Sequence, residues 1–216
     1  MTSRDESTTH AKPKFLLLGG HAAIDFANTL VPKPGLGLEF FTQWLDVVAW
    51  LKATDLHLPL VRQGLHSEDV AAKDEALALD LVRNFRALWR HTLDELMAGR
   101  DAPDLFVAKV NEILQSDWTS DVLTHAGWRR FSMERTAPHV RGESLVLALL
   151  ARLTGTFLEN AEFRHLRRCA NEESCTLLFY DTTKNHRRQW CSNALCGNRH
   201  KVAEFRRRNQ RSGSPN

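Results

Sequence analysis

The chain has only four cysteines, Cys169, Cys175, Cys191 and Cys196, and all of them fall in its last quarter. Their pattern is C-x5-C, fifteen residues, then C-x4-C. Thiolates suit tetrahedral zinc, and two pairs on a short connector let two tight loops aim four sulfurs at one point. Spacings of five and four are looser than the common two, so this is not a regular ribbon signature. His186 and His200 are the alternative ligands, and four unrelated buried thiols, which behave as small hydrophobes, are the alternative to any metal. The expected cofactor is one structural Zn2+. A site closed by four protein ligands keeps no open position for catalysis.

The same region is basic. From Glu162 to the end there are twelve Lys/Arg against five acids, a surplus of seven, while the rest of the chain has four more acids than bases. Arg187, Arg188, Arg199, Lys201, Arg206, Arg207 and Arg208 form the cluster that could meet a phosphate backbone, where each neutralised phosphate releases counterions. They would hold the backbone without reading bases. The alternative is a solvated face whose charges merely suit a helix C-terminus.

A third constellation lies near the start. His21, Asp25 and Asn28 are spaced four and three apart, on one face of a helix that follows Gly19-Gly20. Convergent polar groups beside an apolar wall can orient a small ligand. Asx side chains at such a junction equally serve to satisfy backbone groups where strand and loop meet the helix. No nucleophile elbow, P-loop, dinucleotide fingerprint or metalloprotease pair is present, so a regulator or binding module is expected rather than an enzyme.

The elements that must position these residues can be read from periodicity. Lys14–Leu18 reads as a strand ending at the glycine pair, His21–Leu30 as a short helix, and 31–37 as a Pro/Gly loop. Helices are expected at 42–53, then from a Ser67 cap through 68–98 with Leu77, Leu81, Phe85, Leu88 and Leu96 inward, and at 103–114 through Val107, Val110 and Leu114. Residues 122–133 read as a hairpin around Gly127. The strongest helical repeat runs from Glu143 to about Arg167. The tryptophans at 44, 50, 89, 118 and 128 are expected in the core or a pocket wall. In the cysteine region, 176–180 and 187–190 read as a hairpin. It is followed by a helix at 197–208 with Val202 and Phe205 packing inward. Knuckle, hairpin and helix resemble a treble clef. Few large apolar groups are available there, so the metal must supply much of the folding energy.

The residues Arg167-Arg-Cys169, Cys175, Leu178-Phe179, Asp181, Arg188-Gln-Trp-Cys-Ser192 and Cys196-Gly-Asn-Arg199-His-Lys201 resemble the CGNR zinc-finger proteins, which are named for the tetrapeptide at 196–199. Upstream, Ala23-Ile-Asp-Phe-Ala-Asn-Thr29 is similar to the Leu-Asp-Phe-x-Asn-Thr signature of that family's N-terminal ABATE domain. The resemblance implies a bacterial, stress-related transcription regulator. It makes the four cysteines the zinc ligands, the finger a DNA-binding element and the N-terminal domain a sensor of a ligand.

The expected fold is therefore mainly α with minor β: a helical N-terminal domain with a short strand and a β-hairpin, plus a small treble-clef-like zinc module. The expected boundaries are a disordered tail at 1–12, the helical domain at 13–165, the zinc module at 166–209 and a disordered tail at 210–216. The start lacks the apolar core of a secretory signal, and no apolar run approaches the ~20 residues that span a bilayer. A reducing cytoplasm is expected, with DNA and a small effector as partners and no membrane. A homodimer is compatible with the sequence. Two other readings compete: a zinc-stapled protein-interaction module without DNA binding, and an enzyme built on the Asp25/Asn28 face.

Overall fold

The computed structural model describes residues 15–32, 37–56, 70–116, 121–127, 130–135, 141–172 and 174–212. The polar start, the Ser67 cap, Trp118, Trp128 and the last residues of the tail lie outside them. The architecture is helical with three two-stranded sheets among the described residues. None of their helices is long and apolar enough to cross a membrane.

The centre of the body is its shortest helix, α1 (Ala22–Ala27). Six residues are far below the length at which a helix holds itself in water. Burial supplies what propensity cannot: Ala23, Ile24, Phe26 and Ala27 are fully covered. Phe26 packs within 5.7 Å of Trp50 and 6.2 Å of Phe85, centroid to centroid. The ends are fastened individually. His21 Nδ1 accepts from Ala23 N–H at the N-cap. At the other end Arg90 donates to the carbonyls of Ala27 and Leu30.

Around α1 lie α2 (Trp44–Ala53), α3 (Glu75–Met97), α4 (Asp104–Ser116) and α5 (Gly142–Asn160). Helix α3 begins later than the periodicity suggests. Asp74 is its cap, accepting from the amides of Ala76 and Leu77. Its buried stripe also differs from expectation. Ala78, Val82, Phe85, Trp89, Leu93 and Leu96 face the core, while Leu77 is 57% and Leu81 37% exposed. Phe85 and Leu96 belong to both stripes, and the burial of the Trp89 ring turns the face toward Ala78, Val82 and Leu93. Trp89 confirms that orientation by donating its Nε1–H to Ala23 O. In α4, Phe106, Val110 and Ile113 are buried and Val107 is exposed. Trp44, Trp50 and Trp89 are core residues, as expected.

Two short ladders qualify the loop and strand assignments. β1 (Leu30–Val31) pairs with β2 (Leu38–Glu39), closing the Pro/Gly segment that sequence alone leaves as a loop. No strand forms at 15–18. The expected hairpin is present as β3 (Asp121–Gly127) and β4 (Arg130–Arg135), antiparallel with Leu123 opposite Met133.

The largest departure is at the end of α5. It stops at Asn160, where Ala161 leaves helical backbone with ψ 139°, although apolar spacing invites it to continue to Arg167. A single 3-10 turn (Phe163–His165) follows, then β5 (Leu166–Arg168). β5 pairs antiparallel with β6 (Leu178–Tyr180), Arg167 opposite Phe179. Ladder bonds and the burial of Leu166 outweigh two more helical turns. The hairpin of the zinc module is thus β5–β6, flanking the first cysteine pair. The expected returning strand at 187–190 does not form. A π-turn (Asn193–Gly197) leads into α6 (Asn198–Ser212), which continues into the stretch expected to be a polar tail. The first cysteine pair thus lies within the hairpin rather than ahead of it, and only the closing helix keeps its expected place.

Candidate metal centre

The four Sγ atoms lie within 4.8 Å of one another. Cys191 Sγ is 3.6 Å from both Cys175 Sγ and Cys196 Sγ. Zinc–sulfur bonds of ~2.3 Å in a tetrahedron put sulfurs ~3.8 Å apart, so the donor set has the size of a four-thiolate zinc site. The chemistry of the cluster agrees. Cys175 is drawn down to about 5 because the Cys191 thiol donates to it. Its hydrogen bond to Cys175, together with burial, pushes Cys191 far above the usual thiol range, and desolvation lifts Cys196 to about 11. Cys191 and Cys196 thus resist ionising beside Cys175, and a bound dication would favour their thiolates. The four cysteines are positioned to coordinate one metal ion, consistent with a single structural zinc.

Local backbone chemistry explains why the sulfurs converge. Cys169 N–H donates to Leu177 O, and Ala170 N–H to Gln189 O. Cys175 N–H closes its turn on Asn171 O at 2.8 Å. In the second loop Ser192 Oγ accepts from Leu195 N–H, and Cys196 N–H donates to Ser192 O. Of the tetrapeptide at 196–199, Cys196 is a ligand and Asn198 Nδ2 ties the turn by donating to Ala194 O. A methyl added to Gly197 would meet the Trp190 ring at 3.5 Å.

The connecting loop is set by a buried acid that the sequence marks only as part of the family resemblance, with no role attached. Asp181 is fully covered. Burial alone would raise its pKa, yet it is held below the ordinary range by donation from the Thr183 hydroxyl and the amides of Thr183 and Arg188. Asp-Thr-Thr is an Asx-turn composition, the signal that could have found it. Arg188 requires a correction as a nucleic-acid contact. Its guanidinium lies 4.6 Å from the Phe179 ring centroid and donates to the carbonyls of Trp190, Leu18 and Cys191. A half-buried arginine with those acceptors braces the site from within.

The remaining basic residues do share the surface. Arg187, Arg199, Lys201, Arg206, Arg207 and Arg208 are all exposed. Glu204 pairs with Arg207 at 2.9 Å and Arg208 at 3.3 Å. Val202 and Phe205, expected to pack inward, are 49% and 64% exposed. Among the described residues nothing covers those positions after the first turn of α6. Arg167 and Arg168 join the exposed basic set from β5, with Arg168 paired to Asp94 of α3. Their charge is visible in the sequence, but the strand that displays them is not.

Asp25 and Asn28 are brought to the seam between α1 and the zinc module, while the His21 ring lies against Phe157 of α5. Asn28 Nδ2 donates to Leu178 O at 2.8 Å while Leu178 N–H donates to Asn28 Oδ1 at 3.0 Å. Tyr180 N–H reaches Gly19 O at 2.7 Å. Gly20, at φ 74°, brings its backbone so close to Tyr180 O that a Cβ would lie 2.6 Å from it. Asp25 Oδ1 accepts from Gly19 N–H at 2.7 Å. These contacts are backbone-satisfying roles for Asp25 and Asn28.

Burial lifts the Asp25 carboxyl to about 6, against hydrogen bonds from the backbone at Gly19 and Leu18 and the charge of Arg188. The folded chain therefore holds this proton more tightly than the unfolded chain does. The resulting stability is fully present below about pH 4 and is lost as pH rises through about 6. Asp25→Asn keeps an acceptor for Gly19 without the charge. It is expected to remove this component, so that the variant loses less stability than the parent between about pH 4.5 and about pH 7. Urea unfolding at the two pH values checks this, and parallel pH dependences in parent and variant would contradict it.

Two family models match the chain. One, described as a CGNR zinc finger, covers residues 165–209. The other, ABATE, described as a putative stress-induced transcription regulator, covers residues 20–160. No curated protein matches.

Proposed function

Because the chain belongs to the ABATE family and ends in a CGNR zinc finger, we propose that it is a cytoplasmic regulator that binds DNA through α6 and senses a ligand or partner through its helical domain. The family is one of regulators rather than enzymes. The observation that carries the reading is the pairing of an exposed basic helix with a rigid anchor. Arg199, Lys201 and Arg206 lie on the same helix, whose first turn grows directly from ligand Cys196. When bound, zinc supplies cross-linking of the two cysteine loops and no reaction chemistry.

The clasp at β6 supports the regulatory half. Domains at 13–165 and 166–209 are proposed as the two functional parts, and the Asn28–Leu178 and Gly19–Tyr180 bonds make α1 and the zinc module one mechanical unit. A ligand that shifts α1 therefore shifts the frame holding the basic helix. Arg187 and the α6 cations serve as backbone contacts; Arg188 contributes through its brace.

Duplex retardation across a salt series is the test. The parent is expected to lose affinity steeply with salt. Arg206→Ala/Arg207→Ala/Arg208→Ala is expected to bind about 10–100-fold more weakly, with a salt slope shallower by roughly two. The slope changes by less than three because Glu204 already engages two of the three arginines. An unchanged slope would remove α6 from the interface. The exposed Val202 and Phe205 favour a second reading, in which α6 meets a protein partner. That reading predicts no duplex retardation by the parent.

A further inference from the structure

A cavity of about 380 Å3 opens beside the metal centre. Its walls are Leu16, Leu18 and Val31 from the body and Leu177 from the zinc module, with Leu38 and Leu195 also lining it. Cys175, Cys191 and Cys196 form part of the same lining, and Arg199 is its one charged residue. The volume falls at the small end of the range for ligand sites, which are mostly apolar with a few placed polar groups.

Two observations beyond the cavity itself point to an occupant. Leu38 and Leu195 are 55% and 47% exposed, and they come from opposite sides, β2 and the π-turn. An amphiphile between them would cover both. Arg199 has no ion-pair partner among the described residues, unlike Arg86, Arg168, Arg207 and Arg208. An unpaired guanidinium at an apolar cavity selects an anionic head group, and a planar carboxylate matches its fork. Four thiolates and one zinc ion carry a formal surplus of two negative charges. A ligand's charged end is therefore directed away from the sulfurs and its apolar end toward them.

We infer that this cavity binds a small monocarboxylate with an apolar tail, held by Arg199 at its head and by Leu16, Leu18, Leu38, Leu177 and Leu195 along its length. The inference deepens the ligand-sensing reading and rests on it for its consequence. The carboxylate neutralises Arg199 in the first turn of the basic helix and touches body and zinc module at once, so its binding weakens the grip of α6 on a duplex. The site is distinct from the Asp25/Asn28 seam.

The test is isothermal titration of the full zinc-loaded chain, without DNA, using octanoate, octanol and octylammonium. Octanoate is expected to bind one per chain and octanol about fivefold more weakly, the difference a partly exposed charge pair supplies. Octylammonium should bind weakest. Arg199→Gln should bring octanoate to the octanol affinity and leave octanol unchanged. Leu195→Glu should abolish octanoate binding while zinc analysis still finds one ion per chain, which shows that the π-turn is intact. Equal affinity for all three heads, octanoate binding unchanged in Arg199→Gln, or no binding at all would each overturn the site. Duplex retardation with and without octanoate is read separately. A chain that binds octanoate but no duplex refutes the DNA reading and leaves the cavity standing.

Discussion

Cys191→Ser is expected to reduce bound zinc from one per chain to less than a tenth and to unfold residues 165–209. Cys191 is the natural choice because its sulfur lies 3.6 Å from two of the other three and is buried to 1% exposure. The module's own apolar core is very small: Leu177, Phe179 and the cysteines themselves, backed by Leu16, Leu18, Val31 and Trp190. Val202 and Phe205, which would have enlarged it, face solvent. A segment of this length does not usually balance its conformational entropy with so little burial. Structural zinc contributes about 10–16 kcal/mol in comparable small modules, more than any single side chain here. Removing one ligand leaves three sulfurs, one short of a closed tetrahedral site. Metal analysis of protein purified without added zinc, with amide exchange across 165–209, gives the answer. Full protection in a metal-free chain would show that packing alone holds the module.

The consequences for α6 follow from where it starts. Its first turn contains Asn198, tied to Ala194 O, and His200, whose ring lies 5.7 Å from Trp190. Beyond that turn its described side chains are largely solvated. Helix α6 therefore takes its direction from the zinc-held π-turn, and loss of zinc releases the basic cluster as a mobile tail. Charge would survive that release while geometry would not. Weak duplex binding with the parent's salt slope is thus the expected residue of activity in Cys191→Ser.

How much of this was legible in the sequence depends on whether the deciding interaction is local. The cysteine pairs were legible because metal ligation dictates residue type and spacing in tight loops. Helix α5 was legible in its interior and not at its end. The signal that stops it at Asn160 is the pairing of Leu166–Arg168 with Leu178–Tyr180, across the first cysteine pair. The same non-locality hid the true hairpin, since 187–190 was read as a strand but has only one backbone-to-backbone bond among the described residues, from Ala170 N–H to Gln189 O. In α3 periodicity put Leu77 and Leu81 inward, whereas Phe85 and Trp89, packed on Phe26, Phe106 and Phe157, turn the buried face toward Ala78 and Val82 instead. Arg188 was legible as a cation and illegible as a brace, because its acceptors are carbonyls of Leu18, Trp190 and Cys191. Backbone acceptors leave no mark in residue identities.

Asn28 shows how a polar residue in a helical motif can hold two parts of a chain together. It is 2% exposed and satisfies both backbone groups of Leu178, itself fully buried. Asn28→Ala would strand one buried N–H and one buried C=O, at about 1–3 kcal/mol each. We expect a loss of about 3 kcal/mol, read as a lowered urea midpoint. Zinc stoichiometry should stay at one, because no cysteine touches Asn28. The cost should also change the form of unfolding. In the parent, Leu178 of β6 packs into the body core and Tyr180 of β6 meets Phe157 of α5, so body and module are expected to melt together. Without the clasp, body fluorescence and zinc release should separate into two transitions. Asn28→Asp sharpens the comparison. A carboxylate can still accept from Leu178 N–H, but it cannot donate to Leu178 O, and it brings a desolvated charge against that carbonyl. Asp should therefore be worse than Ala at neutral pH and recover on acidification, when the protonated acid regains a donor. A midpoint for Asn28→Ala equal to the parent's, with a single shared transition, would mean that the two parts are coupled through apolar packing alone.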